Sequence, residues 1–261
     1  MSDRRSLALR TAGSSRLRYM LFGLLLIAAV PAAAQDKPSG EDEKIAQSLA
    51  EMLRDARAII SNNQERINNP NIGDKGLTGD VVLAEAVQEY RQQTHVDPNA
   101  IDPATRHGRL IRALMNAIRE VMDAHQSTIN EKGTGFKAFI PATFGRLIGE
   151  AFARLAKGEA EIKVTAPPEL VRNLKARPDA WEQNVIKTKL LSPSWVRGEP
   201  YAAMAEAKGR PAYRVMVPEY YSDSCLSCHG SPKGEMDITG YPKEGGKIGD
   251  LGGIISITIY R

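Results

Sequence analysis

Two thiols and an imidazole stand together in the run Cys225-Leu226-Ser227-Cys228-His229, and these are the only cysteines in the 261-residue chain. Thiols three positions apart can each form a thioether to a haem vinyl group, while the imidazole directly after them ligates the iron, so the spacing is that of c-type haem attachment. Two other chemistries use a Cys-x-x-Cys pair. A four-thiolate zinc site needs a second pair that this chain lacks, and Cys225, Cys228 and His229 with one remote carboxylate would be an unusual zinc set. A thioredoxin-like dithiol sits near a βαβ pattern, whereas this motif lies close to the C-terminus and leads into the loop sequence Gly230-Ser231-Pro232-Lys233-Gly234. Covalently attached haem c, with its iron, is therefore the expected cofactor, held by Cys225, Cys228 and His229.

The N-terminus agrees with that chemistry. Residues 1–18 carry Arg4, Arg5, Arg10, Arg16 and Arg18 against Asp3, an apolar run follows from Tyr19 to Val30, and then comes Pro31-Ala32-Ala33-Ala34-Gln35. This pattern predicts a signal peptide over residues 1–34, cut after Ala34, with retention as an N-terminal membrane anchor as the alternative. Either outcome delivers the remainder across the inner membrane to the periplasm, where covalent haem attachment takes place. Removing the leader's five arginines and one aspartate from 35 basic and 31 acidic residues leaves 30 of each. The alkaline sequence pI thus owes much to the targeting segment, and no nucleic-acid partner is expected.

A scaffold must hold the motif. Residues 35–43 are polar and read as a tether, and residues 44–261 as one domain with a helical region (44–130) and a mixed helix and strand region (131–261). Ile45, Leu49, Met52, Leu53, Ala56, Ile59 and Ile60 recur at helical spacing, and the turn-rich run from Asn68 to Gly73 stops that helix. A second helix is expected from Gly79 to about Tyr90, and a third from Leu110 to about Ile129, on the stripe Leu110, Ile111, Leu114, Ile118, Val121, Met122 and His125. Beyond Gly135, helices are expected at Pro141 to Leu155, Pro178 to Lys189 and, from its alanines, Tyr201 to Ala207. Strands are expected at Glu161 to Thr165, Ala212 to Val217 and Ile254 to Tyr260. The expected class is α/β of the α+β type, a small antiparallel sheet preceded by helices.

The ordered set Phe139-Ile140-Pro141-Ala142-Thr143-Phe144-Gly145-Arg146, Arg172-Asn173, Pro178-Asp179-Ala180-Trp181-Glu182, Cys225-Leu226-Ser227-Cys228-His229-Gly230 and Gly249-Asp250-Leu251-Gly252-Gly253 resembles the PAS-like, c-type-haem sensory domain of bacterial extracytoplasmic signalling proteins. The resemblance runs from about Ile45 to Tyr260. It implies a PAS-like antiparallel sheet with long N-terminal helices, haem held at one edge, and sensing of redox state or of a diatomic gas. It carries Cys225 and Cys228 as attachment thiols, His229 as proximal ligand and Gly249 to Gly253 as the turn into the last strand. One member type of that family takes a distal cysteine from an N-terminal helix, and this chain departs from it, having no third cysteine.

The distal position is open. His125 would give a bis-histidine iron and Met122, three residues earlier on the same face, a thioether ligand; His95, His107, Met216, water or a vacant position are the alternatives. Arg146 and Arg172 are candidates to neutralise haem propionates, and Tyr220, Tyr221 and Trp181 to wall the cofactor, although surface ion pairs and core packing are their ordinary uses. No residue is assignable as a positioned acid or base, so no enzymatic activity is expected. The expected function is a periplasmic c-type haem protein acting as a redox or diatomic-gas sensory module. The alternative is a small periplasmic electron-transfer cytochrome c without a sensory role. Expected partners are the haem-attachment machinery, a separate signalling or redox protein, a small gas ligand and a second copy in a homodimer.

Overall fold

The computed structural model describes residues 40–261. The expected leader, its cleavage point and residues 35–39 of the expected tether lie outside the described residues. The helical region comprises α1 (Gly40–Asn62), α2 (Gln64–Ile67), α3 (Gly79–Thr94), α4 (Arg106–Ala124), α5 (Gln126–Ile129) and α6 (Pro141–Leu155). Helix α1 begins inside the expected tether, at Gly40 rather than after residue 43. Glu41, Asp42 and Glu43 complement the positive end of the helix dipole, and Asp42 is buried against the guanidinium groups of Arg106 and Arg261. Thr78 and Thr105 cap α3 and α4 by accepting from backbone amides of the first turn. The apolar stripes of α1 and α4 are buried at all the expected aliphatic positions, and α1, α3, α4 and α6 pack around them.

Four strands follow: β1 (Ala160–Thr165), then β2 (Tyr201–Ala207), β3 (Arg210–Tyr220) and β4 (Leu251–Tyr260), with α7 (Ala180–Val185) between β1 and β2 and α8 (Leu226–His229) between β3 and β4. They form one sheet of order β1-β4-β3-β2, antiparallel throughout. The arrangement is an open antiparallel sheet with long helices before it, as the PAS-like α/β reading requires. Side chains alternate with the pleat. Ile255, Ile257 and Ile259 of β4, Tyr213 and Val215 of β3 and Ile162 of β1 join the helical core, while Ile254 and Met216 join a smaller core with Val185, Ile186 and Leu190. Among the described residues no helix is long and apolar enough to cross a membrane.

The stretch Tyr201–Ala207 is a strand and not the short helix its alanines suggest. It pairs with β3 through a two-residue turn in which Lys208 and Gly209 both take positive φ (51° and 74°), the twist that closes a tight hairpin. Ladder pairing at the sheet edge outweighs the helix propensity of four alanines. The helix expected over Pro178 to Lys189 is present as α7 and then widens into a π-helical turn over Ile186–Leu190.

Polar groups lock α7 onto the sheet. Glu182, 1% exposed, accepts from the Asp179 amide (2.7 Å), Lys163 Nζ (2.5 Å) and Ser256 Oγ (2.6 Å), and lies 3.4 Å from Arg214. Arg214, also buried, donates to Asp179 Oδ2 at 2.6 Å and lies over the Trp181 ring. Arg214→Leu leaves the Glu182 carboxylate buried with half its charge partners, and a loss of about 3 kcal/mol in urea-unfolding stability is expected. The double variant Arg214→Leu/Glu182→Leu should recover part of it, because the two fully buried charges go together and the partners they leave, Lys163 and Asp179, are open enough to water to stay solvated.

Candidate functional site

Strand β3 ends at Tyr220, and the chain turns through a 3-10 segment (Asp223–Cys225) into α8, so both thiols and the imidazole sit on a single short turn of helix. Cys225 and Cys228 are free thiols, each partly exposed. Burial pushes the Cys228 thiol up. Among the described residues no group of three or more His, Cys, Asp or Glu side chains could hold a metal ion by themselves.

His229 is held from two sides. Its Nδ1 lies 2.8 Å from Glu244 Oε2, and its ring stacks on Tyr221 with centroids 5.1 Å apart and planes 17° from parallel. An ionised carboxylate only accepts, so Nδ1 carries the proton and Nε2 is the nitrogen left to bind iron. Tyr221 is fixed in turn by its backbone, whose amide donates to Asp250 O and whose carbonyl accepts from Gly249. A Cβ at Gly252 would fall 2.2 Å from the Tyr221 ring, so the turn into β4 needs glycine there.

Arg172 organises the rest. Its Nε donates to Glu244 Oε1 (2.9 Å), Nη1 to Asp237 Oδ2 (2.6 Å) and Thr239 Oγ1 (3.2 Å), and Nη2 to Glu244 Oε2 (3.1 Å) and the Cys228 carbonyl (3.0 Å). Burial opposes the charge on Glu244, but the bonds from Arg172 and His229 outweigh it and hold the carboxyl below the usual range. Asp237 behaves alike: burial is outweighed by bonds from Thr239 and Arg172, and its carboxyl lies far below the usual range.

The residues singled out from sequence fall into two groups. Cys225, Cys228, His229, Tyr221 and Arg172 come together. Arg172 nevertheless has a different role from the one expected, since all five of its N–H donors are engaged and none is left for a haem propionate. Tyr220 stands at the margin, its hydroxyl accepting from the Gly198 amide at 3.0 Å and its ring under Arg197. Arg146 is bonded to Glu150 one turn along α6, a helix-surface pair and not a propionate clamp. Trp181 belongs to the α7 network. Met122 is fully buried in the helical core, where its thioether packs and faces no open space. His125 follows the end of α4, its Nδ1 on Val121 O at 2.7 Å and its ring against Phe139; these contacts reach none of residues 225–229. His95 is the exposed C-cap of α3, and His107 bonds Ser48.

Glu244 and Asp237 were not anticipated. They lie in a glycine- and proline-rich loop without periodicity, and the only sequence signal for them is the general need of a ligating histidine for an acceptor at its second nitrogen.

The donor set fits haem c. Two thiols free of any disulfide lie one helical turn apart, His229 offers Nε2, and the buried Tyr221 hydroxyl has no hydrogen-bond partner among the described residues. Burial, reinforced by the charge of Glu244, pushes Tyr221 up to about 12, so the hydroxyl stays a donor suited to a carboxylate. From the helical side, Ser61 Oγ of α1 reaches Ser224 Oγ at 3.5 Å, and Arg57 Nη1 of α1 pairs with Glu219 Oε2 of β3 at 2.5 Å.

A family model described as Tll0287-like (Tll0287) matches residues 91–259, more than half of the chain. Neither the curated proteins nor the solved structures include a match. The matched span contains all of the sheet but its last residue, Tyr260, together with α8 and every member of the Arg172 network.

Glu244→Gln removes the anionic acceptor shared by His229 and Arg172, and a loss of about 2 kcal/mol is expected at neutral pH. Because the folded-state carboxyl is depressed, its contribution is complete above the unfolded value of about 4.3 and disappears as pH falls through the folded value. The stability gap between wild type and Glu244→Gln, followed by urea unfolding across pH, should therefore close toward acid.

Proposed function

The chain belongs to the Tll0287-like family, a haem-binding sensory domain of PAS-like topology, and on that premise we propose that it works in the periplasm as a redox- or gas-responsive module. The reading assigns Cys225 and Cys228 to the two thioether links and His229 Nε2 to the proximal position. Bound haem supplies an iron whose oxidation state or diatomic ligand can change. The protein's part is to fix the imidazole through Glu244 and Tyr221, to offer the Tyr221 hydroxyl to a haem carboxylate, and to pass displacement of α8 to the helices.

The observation that carries the sensory reading over simple electron transfer is the pair of contacts from α1 to the site's own segments, Arg57 to Glu219 and Ser61 to Ser224. An electron carrier needs only a saturated iron and an exposed edge. A sensor needs an element that both touches the motif and extends away from it, and α1, 23 residues long, does both. The leader pattern supports export, and a separate signalling protein would receive the output. The attachment machinery, the gas ligand and a homodimer complete the partners proposed.

Chain exported under conditions of c-type maturation should keep haem on a denaturing gel. Cys225→Ala or Cys228→Ala should each leave one link, with a stepwise shift of the pyridine haemochrome, and the double variant should lose haem on denaturation. His229→Ala should keep the links but lose the low-spin optical and EPR signature of the wild type, or its five-coordinate histidine signature if the distal position is vacant. Uptake of CO or NO by the wild type selects gas sensing, and indifference to both selects redox sensing. Wild-type chain without covalent haem overturns the proposal.

A further inference from the structure

Away from the haem motif, α1 and α3 face each other across a cleft of about 340 Å³, within the size of small-molecule sites. Asp55, Ala58 and Ile59 of α1 and Glu85, Glu89 and Gln93 of α3 line it, each set recurring at the three- and four-residue steps of one helix face. Only the C-terminal part of α3 enters the span matched by the family model.

Asp55 is the unusual member. It is 2% exposed, its Oδ1 accepts from Gln93 Nε2 at 3.1 Å, and its Oδ2 is buried with no hydrogen-bond partner among the described residues. An incompletely satisfied carboxylate on a cleft wall is costly unless a cation completes it. Gln93, whose side chain reaches in from an exposed position, is readily displaced. The surrounding charge is mostly negative: Glu51 and Arg54 flank Asp55 on α1, and Glu85 and Glu89 lie on α3.

We propose that the α1–α3 cleft binds a small alkylammonium ligand, with Asp55 as the buried anchor for one ammonium group, Glu89 as the outer counter-charge, and Ala58 and Ile59 against the methylenes. The lining argues for an organic cation over a bare metal ion: the carboxylates stand beside the apolar pair Ala58 and Ile59 and several side-chain amides, and among the described residues no group of three or more acidic, histidine or cysteine side chains is placed to hold a metal. The site is independent of the haem reading. Burial, with Glu51 and Glu89 adding to it and Arg54 opposing, pushes Asp55 up to about 7. Below that pH the anchor is protonated, so occupancy by an ammonium releases a proton to solvent and weakens as pH falls.

The test is calorimetric titration of the full haem-loaded chain with 1,4-diaminobutane at fixed ionic strength. Saturable one-to-one binding is expected at about pH 8, weaker by roughly tenfold or more at about pH 5.5, where the diamine is still fully charged. Asp55→Asn and Glu89→Gln should each weaken it at least about tenfold with the haem spectrum unchanged; Glu89 is exposed, so its variant folds whatever Asp55→Asn does. The proposal is overturned if no saturable binding occurs up to about 10 mM, if affinity survives in either folded variant, or if Mg²⁺ or Ca²⁺ titrates the same site in the diamine's place.

Discussion

One guanidinium holds the haem motif in its geometry. Arg172 comes from the segment between β1 and α7, yet it binds the Cys228 carbonyl and two carboxylates of the 230–250 loop, Asp237 and Glu244. Through Glu244 it orients His229, and through Asp237 and Thr239 it closes the loop that leads to β4. A single planar cation with five fixed donors can set three separate chain segments in register where a lysine, with three rotatable donors on a flexible stem, would not. The motif itself is too short to do this. Four residues of α8 make one turn, and an isolated turn has no stability of its own.

The second constraint is β4. It is covered on both faces, by the helical core through its odd-numbered isoleucines and by the α7 region through Ile254 and Ser256, so it is packed between the two layers. Its first residues border Tyr221, the ring under His229. A change at the imidazole is thus felt at the sheet through Tyr221 and at the helices through Ser224 and Glu219. Close packing makes such routes stiff, as the proposed displacement of α1 would require.

Helices α1 and α4 were legible because burial of one stripe imposes a 3.6-residue period, and Ile45 through Ile60 and Leu110 through Met122 keep it. The attachment motif was legible because its chemistry demands three residue types at fixed spacing. Strand β2 was not, since Ala202, Ala203 and Ala205 favour a helix locally and only the Lys208-Gly209 turn and the partner strand decide otherwise. Arg172 was noticed for the right charge and given the wrong partner, because its carboxylates lie 65 and 72 residues away in a loop with no pattern. The distal ligand was not legible for a related reason. A methionine or histidine on an apolar stripe reads identically whether it faces a cofactor or a core, and in Met122 the core prevails.

Helix α1 links the two sites. Asp55 faces α3 while Arg57 and Ser61, two and six residues on, face the segments around the haem motif. A ligand that neutralises Asp55 removes a buried, half-satisfied charge from one side of α1 and so changes how firmly that helix is held against α3. The same helix bears the Arg57–Glu219 pair, in which both side chains are mostly buried and a small shift is energetically expensive. If both sites bias the position of one helix, their free energies are coupled, and coupling of this kind is reciprocal: whatever the cleft does to the iron, the iron does equally to the cleft. A chain built this way reports a combination of two chemical states, with α1 as the element on which they are combined.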